Sequence, residues 1–214
     1  TQELKLSSKN QNIKWITGIY LDKEDRDQGP YGFEQDYYGA VYAGDTYSTT
    51  NSKTQAIFGQ TMIPLSESFE LTVGARYQKI KKEIDLIGTS SWGGSPFPDL
   101  TYQDEKDWNS FLPKAALSYF INDNLTTYLS VSNGYMPGGF NTFPSTNVSS
   151  DNTFDPQKST NYELGMKYTG ETYLINTSIF RMNIEDVHVY KQLGAQFITD
   201  NAKKAHSQGI ELDG

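Results

Sequence analysis

Few residues in this sequence have the types and spacing that enzyme chemistry needs. Asp186 and His188 are separated by one residue, as in an acid–base or metal-binding pair, but no third partner is nearby in the sequence. The absence of cysteine excludes disulfides, thiolate metal sites and cysteine nucleophiles. The sequence also lacks phosphate-binding loops, dinucleotide-binding glycine motifs and the common hydrolase motifs. We therefore predict no catalytic residue, no metal site and no covalently bound cofactor, in a protein that is not an enzyme.

Acidic side chains cluster in two segments, and neither matches a calcium site. Residues 25–29 lack the closing glutamate and the ligand spacing of a calcium loop. Residues 99–107 carry four carboxylates, for which a solvated loop is the favoured interpretation. The chain as a whole has a net charge of -8 and no basic stripe. A nucleic-acid backbone would be repelled, so nucleic acid is excluded as a partner.

Aromatic side chains in polar, glycine-rich segments are the stronger candidates for a functional role. Ring faces offer a large contact area and tyrosine adds a hydroxyl, a combination that suits a small amphipathic ligand. The alternative is that these rings pack the segments against one another. The candidate ligand-binding residues are Tyr31, Phe33, Tyr37, Tyr38, Tyr42, Tyr47, Trp92, Phe97, Tyr102, Phe140 and Phe143.

The elements that must position these rings are strands, because the dominant hydrophobic period is two. From Phe69 to Tyr77 the odd positions are apolar or aromatic and the even positions are Glu, Thr, Gly and Arg, which is the pattern of a half-buried strand. Residues 161–168 repeat the scheme. About ten strands are predicted, at residues 3–6, 13–22, 54–64, 69–80, 108–120, 125–133, 160–168, 172–189, 196–201 and 207–212.

The connections between these strands alternate in length. Tight turns at residues 65–68, 121–124 and 169–171 alternate with long polar loops at 23–53, 81–107 and 134–159. In an antiparallel sheet this alternation places every long loop at one end, which is typical of outer-membrane barrels. No apolar run approaches the ~18 residues of a membrane helix. The predicted fold is all-β, a segment of an antiparallel transmembrane β-barrel.

An ordered series of short motifs resembles the TonB-dependent outer-membrane receptors of the siderophore type. The strand that ends at Gly134-Tyr135 and continues to Gly138-Gly139-Phe140-Asn141 is similar to a signature of that family, and so is Tyr162-Glu163-Leu164-Gly165. Further matches occur at 154–157, 183–186, 198–202 and 207–212. Gln157 stands where glutamate is usual. The resemblance covers nearly the whole chain.

The resemblance implies a receptor that binds a ferric siderophore or a similar scarce nutrient and imports it across the bacterial outer membrane. Its implied partners are the lipid bilayer, the small-molecule ligand and TonB, which acts through an N-terminal plug domain. We expect residues 1–214 to be part of the barrel, without the plug or the TonB-contacting segment, since complete members have about 22 strands. Arg76, Glu163 and Lys167 are expected to face the lumen.

Two other interpretations stay open at this point. The chain could be a self-contained small outer-membrane barrel, either a protease or porin-like, because ten strands can close. It could also be a secreted β-sandwich that binds carbohydrate through loop aromatics, in which case a second sheet would cover the face that carries Tyr162 and Leu164.

Overall fold

The protein forms one large antiparallel sheet and a two-stranded ribbon. The computed structural model describes residues 1–9, 12–142, 152–193 and 196–214. Nine strands follow one another in the sheet in chain order, β5 pairs with β4 at one end, and β8 pairs with β9 in the ribbon. The strands are β1 (Gln2–Ser7), β2 (Lys14–Tyr37), β3 (Ala40–Pro64), β4 (Phe69–Trp92), β5 (Ser95–Pro96), β6 (Leu100–Asn122), β7 (Leu125–Met136), β8 (Gly139–Phe140), β9 (Thr153–Phe154), β10 (Gln157–Thr169), β11 (Leu174–Leu193) and β12 (Gln196–Asp213).

The predicted class, an all-β antiparallel fold, is confirmed. Within the described ranges we find no helix that is long and apolar enough to cross a membrane. The predicted tight turns all lie at one end of the sheet, between β3 and β4, β6 and β7, and β10 and β11. Asn124 joins two of them, because its side-chain amide donates to the Thr169 carbonyl oxygen at 2.7 Å.

Two of the three predicted long loops are wrong, because strand continues through most of them. Residues 23–53 are the upper halves of β2 and β3, joined by a turn at Tyr38-Gly39. Residues 81–107 are the upper halves of β4 and β6 around the short β5. The segments predicted at 196–201 and 207–212 are likewise one strand, β12. The connections between strands still alternate, because long hairpins lie at one end of the sheet and short turns lie at the other.

A row of aliphatic side chains crosses seven neighbouring strands. Register partners lie directly opposite each other on one face of the sheet, and the partners here are Ile63, Leu71, Leu117, Leu129, Leu164, Ile179 and Ile210. We call this set the aliphatic row and its side of the sheet the apolar face. Leu129 is 60% exposed and Ile210 is 75% exposed, since no described element forms a second layer over them. A face like this is stable only against an apolar medium or partner.

Aromatic pairs border the apolar face on β4 and β6. Phe69 stacks on Tyr119 at the turn end, with ring centroids 4.7 Å apart, and Tyr77 lies opposite Phe111 at the other. The eight residue steps from Phe69 to Tyr77 cover about 27 Å along the strand. With a strand tilt of about 40° this gives a band about 20 Å high, close to the ~25 Å apolar band of membrane barrels with its aromatic girdles.

On the opposite, polar face, aromatic rings lie across glycines of the neighbouring strand. A Cβ on Gly18 would come within 2.7 Å of the Phe58 ring, and one on Gly165 within 2.3 Å of the Tyr128 ring. Phe180 covers Gly209 in the same way. Each glycine therefore leaves the space in which a ring can lie flat against the sheet, a known means of stabilising strand glycines.

Candidate ligand-binding surface

The polar face continues upward onto the long hairpins β2–β3 and β4–β6, where most of the predicted aromatic residues lie. In the lower part of β2 the odd residues point to the apolar face, as Ile19 does. A register shift between Gln28 and Tyr31 reverses this alternation. Tyr31 is consequently opposite Thr46 and shares the polar face with Tyr42. The bulge is what brings the rings of Tyr31 and Tyr37 to this face.

Four rings meet near the tip of these hairpins and form what we call the tip cluster: Tyr37, Tyr42, Trp92 and Phe97. The Trp92 ring lies 5.8 Å from that of Tyr37 and 6.4 Å from that of Tyr42, and Tyr42 lies 6.4 Å from Phe97. Trp92 is the register partner of Tyr42, so both rings extend from the same face. The tip cluster offers ring edges and faces at distances typical of favourable aromatic contacts.

A small hydrophobic core lies below the tip cluster on the same face. Ile84, Leu86 and Tyr102 are almost fully buried, and Phe140 packs against them. The Tyr102 hydroxyl donates to Asp104 Oδ2 at 3.0 Å. Two of the predicted ligand-binding aromatics, Tyr102 and Phe140, therefore pack in this core. Phe140 carries the segment after β7 back against the wall of the sheet.

Lys82 fixes that returning segment and was not among the predicted site residues. Its Nζ donates to the Gly138 carbonyl oxygen at 2.9 Å, and burial lowers the pKa of its ammonium group. Lys82 borders a polar cavity of about 240 Å³ that Glu24 and Arg26 also line. The Arg26 guanidinium pairs with Glu24 at 2.7 Å. Lys82 and Arg76 are both even-numbered residues of β4, so the strand period of two predicts that they lie on the same, polar face.

Two asparagines hold the rest of this segment against β12. The Asn141 side-chain amide donates to the Thr199 carbonyl oxygen at 3.0 Å, and the Thr199 amide donates to Asn141 Oδ1 at 2.7 Å. Asn201 repeats the arrangement with Asp155, at 2.9 and 2.7 Å. Asn141 and Asn201 thus each donate one hydrogen bond to a backbone group across the contact and accept one in return. We call each of these two pairs of hydrogen bonds a bracket. Asp186 contributes its carbonyl oxygen to the second bracket, 2.8 Å from the Asn201 amide.

His188 also contributes to the second bracket. Its backbone amide donates to Gln157 Oε1 at 2.9 Å, and its ring Nε2 lies 2.7 Å from the Asp155 carbonyl oxygen. The edge of its ring contacts Phe154 at a centroid distance of 4.9 Å. Among the described residues no group of three or more His, Cys, Asp or Glu side chains is arranged to hold a metal ion. His188 thus connects β11 to the β9–β10 segment through its backbone amide and its ring.

The motif around Gly165 forms a compact cluster on the polar face. The Tyr128 ring lies across Gly165, its hydroxyl donates to Glu163, and Lys167 Nζ lies 5.3 Å from the ring centroid. Glu163 and Lys167 flank Gly165 at spacing two, which puts all three on one face. Arg76 shares that face on β4, where its guanidinium lies 4.9 Å from the centre of the Tyr20 ring.

The remaining predicted residues are placed elsewhere. Tyr38 is fully exposed in the β2–β3 turn with a φ of 55°, and Tyr47 lies on the apolar side of its hairpin, opposite Ile87. Phe33 is opposite Gly44 in β2, and Phe143 lies outside the described residues. Four of the motif residues occupy strand or ribbon positions: Gly134 opposite Ser159, Tyr135 opposite Lys158, Gly139 opposite Phe154, and Tyr162 opposite Val131.

Comparison with known proteins identifies the family. Residues 4–214 match the family model described as TonB dependent receptor-like, beta-barrel. The chain belongs to this family. The resemblance read from the motifs is therefore confirmed, and so is the location, since TonB-dependent receptors are bacterial outer-membrane proteins. The family consists of receptors and transporters rather than enzymes.

Two curated relatives are similar to the chain in sequence, and a solved structure is similar to it in fold. The pesticin receptor of Yersinia enterocolitica is 28% identical over 165 residues, which cover 77% of this chain and 24% of the relative. The ferrioxamine B receptor of Salmonella typhimurium is 24% identical over 221 residues, covering 94% of this chain and 28% of the relative. The crystal structure of the ferric yersiniabactin uptake receptor of Yersinia pestis superposes with a TM-score of 0.76 at 22% identity, covering 98% of this chain and 31% of that one.

The chain spans about a quarter of the length of these curated relatives. The structural match nevertheless extends over nearly all of it, so every long strand of the sheet has a counterpart in a receptor barrel. The sandwich interpretation is not favoured, because the described structure has a single sheet layer whose apolar face is open. The interpretation as a small independent barrel is not favoured either, because the relatives are receptors of the TonB-dependent type.

Proposed function

We propose that this chain supplies wall strands and the ligand-contacting hairpins of a receptor that imports a ferric siderophore or a comparable nutrient complex through TonB. The proposal rests on the difference in polarity between the two faces of the sheet. An apolar band with aromatic borders occupies one face, and charged and aromatic groups continue from the other face onto hairpins that extend above the band.

In the proposed arrangement the apolar face contacts lipid and the polar face lines the lumen. Arg76, Glu163 and Lys167 would then face the lumen, where their hydrogen bonds and ring contacts stiffen the wall. A charged side chain on the lipid side of a barrel costs about 2–4 kcal/mol at the bilayer midplane, which favours this orientation over the reverse. The plug domain and its contact with TonB lie outside the residues of this chain.

The tip cluster is the proposed first contact for the ligand. Its rings stand above the apolar band on the lumen side, and Arg26 lies lower on the same face. Aromatic faces suit a chelate that carries rings or alkyl arms. One relative is named a ferrioxamine B receptor, which supports an iron chelate of the siderophore type as the ligand. The proposed transport involves no covalent step, and the ferric ion is cargo.

Uptake of radiolabelled iron tests the function directly. Cells that carry the native protein and cells that lack it would receive ferric hydroxamate, catecholate and phenolate chelates, with and without a protonophore. We expect one chelate class to enter only when the protein is present and the membrane is energised. Haem and cobalamin would be supplied in parallel, each with its own metal label. Uptake that is equal in the two strains for every chelate and for both of these compounds would contradict the proposal.

Ring substitutions test the site. Trp92→Ala should weaken binding of the transported chelate by about tenfold or more, since truncating a central aromatic anchor commonly costs upwards of ~1–2 kcal/mol. Tyr47→Ala is the matched control, because Tyr47 lies on the other face of the β2–β3 hairpin. Affinity can be measured by quenching of intrinsic fluorescence in detergent. Equal effects of the two substitutions on affinity would show that the tip cluster is not part of the ligand-binding site.

A further inference from the structure

Three lysines stand in one row on the apolar face, immediately above the apolar band. Lys23 is the register partner of Lys53, and Lys53 is the register partner of Lys81. We call these three residues the lysine row. Neighbouring strands are about 4.8 Å apart, so three ammonium groups start from backbone positions within about 10 Å. Lys79 lies on the same face of β4, two residues nearer to the apolar band than Lys81.

The lysine row directly follows the last apolar side chain of the band on β2, whereas on β3 and β4 one polar residue, Gln55 or Lys79, lies between the row and the band. On β2 that side chain is Leu21, which is 43% exposed, and Lys23 is the next residue on the same face. The step between them is about 6.6 Å along the strand. The ammonium groups are therefore at the height where lipid headgroups meet the hydrocarbon, a position that long lysine side chains commonly occupy.

The carboxylates in this region lie mainly on the far side of the lysine row from the band. Asp25, Glu83 and Glu105 share the next row upward on the same face. Asp25 pairs with Lys23 at 2.7 Å, and both Glu83 and Glu105 pair with Lys81 at 2.8 Å. Asp107 is the exception, because it lies in the lysine row itself, opposite Lys81 on β6, and pairs with Lys79 at 2.6 Å. On β2 and β4 charge is layered with height, with lysines nearer the apolar band and carboxylates above them.

Lys53, at the centre of the lysine row, makes no ion pair within the described part of the chain. Its side chain is exposed. The acidic neighbours hold the outer two lysines in place and leave the central ammonium group facing the headgroup level. A phosphate there could approach Lys53 without displacing a carboxylate.

We propose that the lysine row binds the phosphate of a membrane lipid headgroup, with the acyl chains lying against the apolar band below. The exposed Lys53 ammonium group supplies the complementary charge, and direct continuity with the apolar face favours a lipid over free phosphate. This inference depends on the proposed placement of the apolar face against lipid. Basic groups at a membrane surface each contribute to the attraction of anionic lipids.

Native mass spectrometry of the detergent-solubilised native protein can test the binding. The probes are dioleoyl phosphatidic acid, dioleoyl phosphatidylcholine and inorganic phosphate. We expect phosphatidic acid to bind about tenfold more tightly than phosphatidylcholine. The triple variant Lys23→Gln, Lys53→Gln and Lys81→Gln should lose most of that preference. An unchanged preference in the variant would overturn the proposal.

A matched control removes the same charge elsewhere. Lys191→Gln, Lys203→Gln and Lys204→Gln change three lysines of β11 and β12 that do not form a row, and the lipid preference should be unaffected. A loss as large as that of the lysine-row variant would mean a non-specific charge effect and refute the site. Displacement of lipid by an equal concentration of inorganic phosphate would also refute it, by showing a free-anion site.

The two proposals fail in different ways. If the apolar face does not contact lipid at all, neither lipid should remain bound to the wild-type protein. If the face contacts lipid but the lysine row is not a headgroup site, both lipids should bind equally well to the wild type and to the lysine-row variant.

Discussion

Replacing Gly165 with alanine should force the Tyr128 ring out of its position. An added Cβ would lie 2.3–2.4 Å from three atoms of that side chain, Cζ, Cε1 and the hydroxyl oxygen. Such contacts cannot be relieved by small shifts, because the Tyr128 hydroxyl is bonded to Glu163 and the ring lies under Lys167. The substitution therefore breaks a defined set of interactions on the polar face.

The expected cost follows from those interactions. A hydrogen bond to a charged group is worth about 1.5–3 kcal/mol, and a cation–π contact at an exposed site about 0.5–1 kcal/mol. Gly165→Ala should thus lower the free energy of unfolding by about 2–4 kcal/mol. Gly59→Ala is the control, because a Cβ there would meet its nearest atoms at 3.6 Å. We expect the control to change the stability by less than about 0.5 kcal/mol.

Urea unfolding of the protein in detergent micelles, followed by intrinsic fluorescence, measures both effects. The decisive step is to repeat Gly165→Ala in a Tyr128→Ala background, where no ring remains to be displaced. The cost of the alanine should then fall to about 0.5 kcal/mol or less, which gives a coupling energy of about 2–3 kcal/mol between the two positions. Equal costs in the two backgrounds would refute the proposed packing of the ring over the glycine.

Three further predictions concern other parts of the chain. Asn141→Ala should remove the bracket to Thr199 and raise the rate of limited proteolysis between β7 and β10 severalfold, and an unchanged rate would contradict the bracket. The ion pair with Lys79 holds the pKa of Asp107 below its ordinary value of 3.8. Its contribution is therefore present above that value and is lost as the pH falls through the lower folded value, so Asp107→Asn should reduce the urea midpoint at pH 7 and reduce it progressively less as the pH is lowered below 3.8. Leu129→Arg, in the aliphatic row, should cost about 2–4 kcal/mol of stability in lipid bilayers, and a loss below about 0.5 kcal/mol would argue against lipid contact.

The strands, and the face on which each of their side chains lies, could be predicted from the sequence wherever the two faces of a strand differ in polarity. From Phe69 to Tyr77 the alternation separates apolar from polar residues, and the structure places the two sets on opposite faces. In the upper part of β2 this contrast disappears. Residues 23–28 read Lys-Glu-Asp-Arg-Asp-Gln, polar on both faces, so this part of the strand has no apolar set. The sequence therefore predicts a loop there.

The brackets and the cavity depend on contacts that a single sequence does not reveal. Asn141 and Thr199 are 58 residues apart, and Lys82 reaches Gly138 across 56 residues. The family resemblance marked Asn141 and Gly138 as motif residues without indicating their partners. The bulge between Gln28 and Tyr31, which sets the direction of the upper β2 rings, likewise has no hydrophobic signature.

The central claim is that the apolar face contacts lipid and the polar face lines the lumen. Because this chain has no native cysteine, nine single-cysteine variants across Phe69–Tyr77 can be spin-labelled in proteoliposomes. Accessibility to oxygen and to a water-soluble nickel chelate then reports the medium at each position. We predict oxygen-accessible labels at odd positions such as Val73 and nickel-accessible labels at even positions such as Arg76. A pattern without a period of two, or one with the opposite phase, would contradict the account.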